Sequence, residues 1–226
     1  MSIENAYNIW AHQYDTNVNR TRDLDKTCTI ETLNNLVFKN ILELGCGTGK
    51  NTEWLLNKAE RIIGLDFSQE MLNKAKEKIS DKRVTFKKAD LTKDWKVENN
   101  FVDLITSSLT LEHIKNLDHI FSQANQKLNK NGLFFISELH PFKQYSGSKA
   151  QYETESGTKE LEVYVHHISE YIDDAKNNGF QLIELKEWFD ENSKNGIPRL
   201  ISFVFKKIKG HLNRNLRLPL RPLEME

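Results

Sequence analysis

The chain has 226 residues, of which 38% are hydrophobic and 28% charged, the composition of an ordinary globular protein with one or two domains. Lysine plus arginine equals aspartate plus glutamate at 32 each, which argues against a strongly basic, nucleic-acid-binding protein. No apolar run approaches the roughly 20 residues of a membrane span, and the N-terminal MSIENAYNIW has no signal-peptide pattern. Two cysteines suggest neither a disulfide framework nor a metal cluster. We therefore expect a cytoplasmic protein without a bound metal.

Apolar residues at helical spacing open the chain, and the same spacing recurs along it. The first helix carries Ile3, Ala6, Tyr7, Trp10 and Tyr14 on one face. Later helices are predicted at 24–37, 49–59, after the capping residue Ser68, at 116–128 and at 168–178. Between them lie seven short apolar runs typical of strands. These are NILELG (40–45), RIIGLD (61–66), RVTFKKAD (83–90), FVDLITSS (101–108), LFFISEL (133–139), FQLIELKEWFD (180–190) and RLISFVFKK (199–207).

Strands that alternate with helices predict βαβ units and an α/β fold with a mostly parallel sheet. In such sheets ligands bind at the carboxyl ends of the strands. The polar residues 138–167 interrupt the alternation, so we expect a lid or substrate insertion there, built as a hairpin with a turn at Ser156-Gly157. We expect residues 1–208 to form a single domain with a helical cap at 1–38, and residues 209–226 to form a basic tail.

Three glycines follow the first strand in NILELGCGTGKN, residues 40–51. So much glycine predicts a backbone that comes close to a ligand. A triphosphate-binding P-loop is excluded, because Leu44 stands where its first glycine belongs and Asn51 follows the lysine. A dinucleotide loop requires G-x-G-x-x-G, and here the third glycine comes one residue early. That discrepancy weakens the dinucleotide interpretation without excluding it.

Four segments in chain order resemble the motifs of the class I S-adenosylmethionine-dependent methyltransferases, in particular a type 11-like methyltransferase domain. They are LELGCGTGKNT (42–52), IIGLDFSQEML (62–72), KKADL (87–91) and FVDLITSSLTLEHI (101–114). The resemblance covers residues 39 to about 140 and, in outline, the last two strands. It implies a Rossmann-like seven-stranded sheet with helices on both faces and an antiparallel last strand. It also implies S-adenosyl-L-methionine as cofactor and S-adenosyl-L-homocysteine as product.

The resemblance also assigns cofactor-binding residues. The glycines admit the methionine moiety, Asp66 accepts from the ribose hydroxyls, and Asp90 with the Leu91 backbone reads the adenine amine. Glu43 either meets the methionine amino group or holds the loop, and Met71 either flanks the adenine or belongs to the core. From the N-terminal segment, Tyr14 or an arginine meets the carboxylate. The full predicted set is Tyr14, Arg22, Glu43, Gly45, Cys46, Gly47, Gly49, Asp66, Phe67, Met71, Asp90, Leu91 and Ser107.

Two histidines are the candidates for catalysis. His113 follows the fourth strand and His140 follows the fifth, where an acceptor would approach the methyl group. Histidine can orient or deprotonate an acceptor near neutral pH, although either residue can equally have a structural hydrogen-bonding role. Methyl transfer needs no covalent enzyme intermediate, so proximity and orientation carry most of the catalysis.

The leading functional hypothesis is methyl transfer to an oxygen or nitrogen of a small-molecule acceptor, with no membrane or nucleic-acid partner. Methylation of RNA or protein is an alternative, since Arg214, Arg217 and Arg221 in the tail could meet phosphates. Against it, TSSL stands where amino-methylating nucleic-acid enzymes of this fold often carry an NPPY-like tetrapeptide. A non-catalytic S-adenosylmethionine-binding protein is a third possibility, and an oxidoreductase the weakest.

Overall fold

A computed structural model describes residues 2–147, 151–154, 157–190 and 196–208 of the chain. Seven strands form one sheet in the order β3-β2-β1-β4-β5-β9-β8, and β6 pairs with β7 in a separate hairpin. The strands are β1 (Asn40–Leu44), β2 (Arg61–Asp66), β3 (Val84–Lys88), β4 (Val102–Ser108), β5 (Leu128–Leu139), β6 (Gln151–Thr154), β7 (Gly157–Glu160), β8 (Phe180–Trp188) and β9 (Leu200–Lys207). Strands β1 to β5 are parallel, and β9 runs antiparallel to both β5 and β8. The predicted sheet with an antiparallel last strand is confirmed.

Seven α-helices accompany the sheet in the described part of the chain. They are α1 (Ile3–Trp10), α2 (Arg20–Leu33), α3 (Lys50–Leu55), α4 (Gln69–Lys78), α5 (Leu117–Lys127), α6 (Pro141–Tyr145) and α7 (Ile168–Asn177), with a short 3₁₀ helix at Leu111–His113. The cap predicted for α4 is present, since the Ser68 hydroxyl accepts from the Met71 amide at 3.2 Å. None of these helices is both long and apolar enough to cross a membrane.

Some helix boundaries differ from those predicted by periodicity. Helix α2 begins at Arg20 because the Asn19 side chain caps the Arg22 amide, a signal that the apolar pattern does not carry. Helix α5 ends at Lys127, four residues before the Asn131-Gly132 pair expected to end it. Strand β5 starts directly afterwards, with a register shift against β4, so the asparagine-glycine pair lies within an irregular strand.

Helices cover both faces of the sheet and bury two apolar layers. On one face Phe121 of α5 and Tyr171 of α7 pack against the strands. On the other, Leu33 of α2 and Leu55 of α3 do so. This sandwich leaves the carboxyl ends of β1, β2, β4 and β5 at one edge, which is where open α/β sheets bind ligands.

Helix α1 lies over this edge and packs against α4. It makes polar contacts, in which the Ser68 hydroxyl donates to Asn8 at 2.7 Å and Lys88 pairs with Glu4 at 2.7 Å, and its Tyr7 ring lies 5.5 Å from that of Phe67. Ala6 is its buried residue. The hairpin of β6 and β7 falls in the segment predicted as a lid, and α1 lies beside β6. The predicted turn residue Ser156 and the tail at 209–226 lie outside the described residues, and the lid function and domain limits stay predictions.

Candidate cofactor and acceptor site

The glycine loop connects β1 to α3, and its three glycines have left-handed backbones, with φ of 64°, 52° and 79°. A Cβ on Gly45 would come within 2.1 Å of the Thr110 hydroxyl, and one on Gly49 within 2.9 Å of Ile79. A Cβ on Gly47 would meet nothing within 4 Å. Gly45 therefore makes room for the loop after β4, and Gly49 for the end of α4. Gly47 alone of the three faces open space in the structure.

Asp66, at the end of β2, holds this loop in place. Its carboxylate accepts from the Gly47 amide at 2.9 Å and from the Ser68 amide at 2.8 Å. Burial raises the pKa of Asp66 to about 6 despite these hydrogen bonds. Each oxygen keeps a second lone pair, so the side chain can still accept from a ligand hydroxyl.

The larger of two adjoining pockets at this edge of the sheet encloses about 720 Å³, its open mouth included. It runs from the glycine loop to the 3₁₀ helix after β4. Nine of the predicted site residues line it: Tyr14, Gly45, Gly47, Asp66, Phe67, Met71, Asp90, Leu91 and His113. The structure thus brings residues from four strand ends and the N-terminal segment into one cavity.

A smaller, more polar pocket adjoins it on the other side of the glycine loop. It brings together Arg22, Glu43 and Cys46 of the predicted set, and also Asp25 and Thr106. Three buried polar atoms of these residues lack a hydrogen-bond partner within the described structure: Arg22 Nε, Asp25 Oδ1 and Thr106 Oγ1. Unsatisfied buried groups cost free energy, so this pocket suits a ligand end that both donates and accepts hydrogen bonds. The amino and carboxylate groups of a methionine moiety meet that requirement.

Glu43 is a buried acid of this smaller pocket. Its carboxylate accepts from the Thr52 hydroxyl at 2.5 Å. Burial, followed by the neighbouring Asp25 and Asp66, raises the pKa of Glu43 to about 8. In the absence of a bound cationic ligand, the Glu43 carboxyl is therefore mainly protonated at neutral pH.

Arg22 is the cation that faces this pocket from α2. Its guanidinium donates to the backbone carbonyl of Tyr14 and to that of Asn17, the latter at 3.0 Å. It also lies 4.1 Å from the centroid of the Tyr14 ring, a cation–π contact. Arg22 therefore fastens the segment between α1 and α2 over the glycine loop.

His113 lies at the opposite end of the large pocket. Its Nδ1 is 3.1 Å from the carbonyl oxygen of Glu162, and its Nε2 is 2.8 Å from the Tyr7 hydroxyl. A carbonyl only accepts, so Nδ1 carries the hydrogen, and the Tyr7 hydroxyl donates to the Nε2 lone pair. Burial lowers the pKa of His113 below its usual 6.5. The imidazole is therefore neutral at pH 7 and has one basic nitrogen.

Three predicted site residues do not line either pocket. His140 is fully buried at the start of α6, where its Nδ1 accepts from the Phe142 amide at 3.2 Å and its Nε2 lies 3.0 Å from Glu187. Ser107 points into the sheet packing, whereas its neighbour Ser108 lines both pockets. Gly49 packs against α4. The hydrogen bond from the Phe142 amide makes His140 the N-terminal cap of α6.

Several lining residues escaped the sequence analysis. They are Ile3, Tyr7, Asp25, Leu44, Thr48, Lys50, Asn51, Thr92, Thr106, Ser108, Leu109, Thr110 and Ile114. Successive side chains of β4 point to opposite faces of the sheet, so Thr106 and Ser108 share one face and Ser107 takes the other. Knowing which face meets the ligand would have favoured Thr106 and Ser108 over Ser107. Among the described residues, no group of three or more histidine, cysteine, aspartate or glutamate side chains is arranged to hold a metal ion.

Comparison with known proteins agrees with this geometry. A family model described as a methyltransferase domain matches residues 42–136. An uncharacterized protein of Haemophilus influenzae is 26% identical over 74% of this chain and 65% of its own length. An uncharacterized methyltransferase of Emericella nidulans is 29% identical over 80% of this chain and 76% of its own length. The chain thus spans slightly less than two thirds of the first relative.

Among solved structures, an S-adenosylmethionine-dependent methyltransferase from Mesorhizobium loti superposes with a TM-score of 0.69. It is 20% identical, and the match covers 81% of this chain and 97% of that one. At this identity the structural similarity establishes the fold alone. The residues that the family model matches include the glycine loop and β4. Residues 42–136 therefore match a methyltransferase domain, and the chain shares its fold with solved structures described as S-adenosylmethionine-dependent methyltransferases.

Proposed function

We propose that the protein transfers a methyl group from S-adenosylmethionine to an oxygen or nitrogen of a small-molecule acceptor. One observation carries the proposal: the glycine loop and a neutral, hydrogen-bonded histidine line the same cavity. The first suits the methyl donor and the second suits removal of a proton from the acceptor. When bound, S-adenosylmethionine supplies a methyl group that its sulfonium already activates.

The two pockets divide the recognition of the cofactor between them. In the large pocket Asp66 would accept from the ribose hydroxyls, and Phe67 and Met71 would flank the adenine beside Asp90. In the smaller pocket Arg22 would meet the carboxylate and Glu43 the amino group. An ammonium group beside Glu43 would favour its ionised form and so lower its pKa. Binding there would supply partners for the unsatisfied Asp25 and Thr106 atoms.

His113 is the residue that we assign to proton transfer. Its Nδ1–H donates to the Glu162 carbonyl, which fixes the ring and leaves Nε2 as the proton acceptor. In the structure the Tyr7 hydroxyl donates to this lone pair, so an acceptor must take the place of that hydrogen bond. Holding the acceptor beside the methyl donor would supply most of the rate enhancement, by up to roughly 7–11 kcal/mol in favourable cases. A proton acceptor adds typically 10²–10⁴-fold.

Two features favour a small acceptor over RNA or protein. The equal numbers of acidic and basic residues give no long-range attraction for a polyanion. In addition, helix α1 covers the large pocket through Ile3 and Tyr7, which line it. An acceptor must therefore fit beneath this helix.

Thermal unfolding with S-adenosylmethionine, S-adenosylhomocysteine or NAD tests the cofactor assignment. A ligand at about 100 times its Kd adds about 2.7 kcal/mol, which raises the Tm of a domain of this size by roughly 5–11 °C. We expect this shift with both sulfur nucleosides and none with NAD. A shift with NAD alone, or with none of the three, would refute the proposal.

A further inference from the structure

Two buried glutamates lie beside the loop that carries His113 at one end of the large pocket. Glu138 lies at the end of β5 and is 2% exposed. Its Oε1 accepts from the Thr110 amide at 2.9 Å and the Leu111 amide at 2.8 Å. These bonds fix the loop that carries His113, so Glu138 is coupled directly to the geometry of the site.

Glu112 lies next to His113 on the 3₁₀ helix and is 8% exposed. Its Oε1 is 4.0 Å from His113 Nε2, the atom assigned to take the proton from an acceptor. Its Oε2 accepts from the Gln144 amide group at 3.3 Å. An acceptor atom that hydrogen-bonds His113 Nε2 from the side of Glu112 therefore comes close to this carboxylate.

The second observation is an unpartnered oxygen. Glu138 Oε2 is buried and has no hydrogen-bond partner in the described structure. Nor, in the part of the chain that the structure covers, does a lysine or arginine pair with either glutamate; the ion-pair contact of Glu112 is with His113. Burial, followed by the charge of Glu112, raises the pKa of Glu138 to about 8, and burial raises the pKa of Glu112 to about 7. The pair has the properties of an anionic subsite that lacks its cation.

We infer that the acceptor is an amine, which binds as an ammonium ion between Glu112 and Glu138 beside His113. This inference rests on the proposed methyl transfer and names the acceptor class for the same site. An ammonium offers several N–H donors and a positive charge, which match one unpartnered oxygen and two buried carboxyls. A neutral hydroxyl would balance neither charge, and the carboxylates would repel an anionic acceptor group.

The chemistry balances with the groups present. The ammonium gives one proton to His113 Nε2, which frees the nitrogen lone pair. That lone pair forms the new N–C bond as the C–S bond breaks, and the electron pair of the broken bond stays on sulfur. The product is a methylated ammonium with S-adenosylhomocysteine, so the positive charge moves from sulfur to nitrogen. The two glutamates bind and position the amine.

Calorimetric binding to protein saturated with S-adenosylhomocysteine tests the inference without turnover. The probes are matched in carbon skeleton: benzylamine, benzyl alcohol and benzoate, and butylamine, butanol and butyrate. We expect at least one amine to bind about tenfold more tightly than its alcohol and carboxylate counterparts, a difference of about 1.4 kcal/mol. Tighter binding of an alcohol or a carboxylate would overturn the inference, as would no amine binding at up to about 10 mM.

Two glutamine variants locate the subsite. Glu112→Gln and Glu138→Gln should each weaken amine binding about tenfold and leave the affinity for S-adenosylhomocysteine unchanged. Glutamine at 138 keeps an oxygen for the Thr110 and Leu111 amides, so the loop stays supported. Glu77→Gln, an exposed glutamate paired with Lys74, is the matched control. Unchanged amine binding in both variants would overturn the inference, whereas failure of the wild type to bind S-adenosylhomocysteine would refute the proposed function instead.

Discussion

Replacing Glu43 with glutamine should stabilise the cofactor-free protein. Burial raises the pKa of this carboxyl from its ordinary 4.5 to about 8. Between these values the folded protein keeps a proton that the unfolded chain releases, so stability falls as pH rises. The contribution of the protonated form is complete below about pH 4.5 and is lost once the pH has passed about 8. Glutamine is neutral throughout and can still accept from the Thr52 hydroxyl.

The size of the effect follows from these two pKa values. At pH 7 the linkage relation assigns Glu43 a cost of about 3 kcal/mol. Relaxation around the site reduces this figure, which is therefore an upper bound. For a domain of this size each kcal/mol corresponds to roughly 2–4 °C in Tm. The variant should thus melt several degrees higher than the wild type at neutral pH and at nearly the same temperature in acid.

Urea unfolding of both proteins without cofactor, at intervals between about pH 4.5 and 8, measures the difference directly. The gap in unfolding free energy should widen steadily with pH. The same substitution should weaken S-adenosylhomocysteine binding, because a neutral amide attracts an ammonium group less than a carboxylate does. A gap that stays constant over this range would refute the reasoning, since Glu43 would then be ionised in the folded protein.

The other predictions concern the loop and the histidine. Gly47→Ala and Gly147→Ala both place a side chain at a positive φ with no atom within 4 Å, so each should lose about 1–2 kcal/mol of stability. Only the former, which lines the pockets, should also weaken S-adenosylhomocysteine binding; equal affinities would contradict our placement of the cofactor. Because burial lowers the pKa of His113, kcat/KM should fall as pH drops through a value below 6.5. His113→Gln should remove this acid limb, and a limb below pH 6.5 that persists unchanged in this variant would exclude the assigned role.

Local patterns predicted the sheet and much of the cofactor pocket. Strand runs such as RIIGLD carry their own signal, and Asp66 follows from its place at a strand end. These features depend on residues close together in the chain, which is why sequence analysis finds them. Family resemblance supplied the rest of the cofactor set.

What sequence analysis missed depends on tertiary contacts. His140 follows a strand at the ligand edge as His113 does, yet its ring turns back to cap α6. Ser107 and Ser108 are neighbours in β4 and point to opposite faces of the sheet, and the packing of the strand decides which of them faces the pocket. Glu138 has no distinguishing neighbours in sequence, because the amides that it holds lie 28 and 27 residues away along the chain.

The weak attachment of α1 has a kinetic consequence. This helix of eight residues buries only Ala6 fully, packs its Tyr7 ring against Phe67, and is also held by polar links such as the exposed Lys88–Glu4 pair, which contributes about 0–1 kcal/mol. Its amide hydrogens should therefore exchange with solvent through local opening, at a free energy well below that of global unfolding. Since α1 covers the pocket, the same opening would set how fast the cofactor enters and its spent form leaves. Turnover would then be limited by the opening of α1, independently of how firmly the sheet is packed.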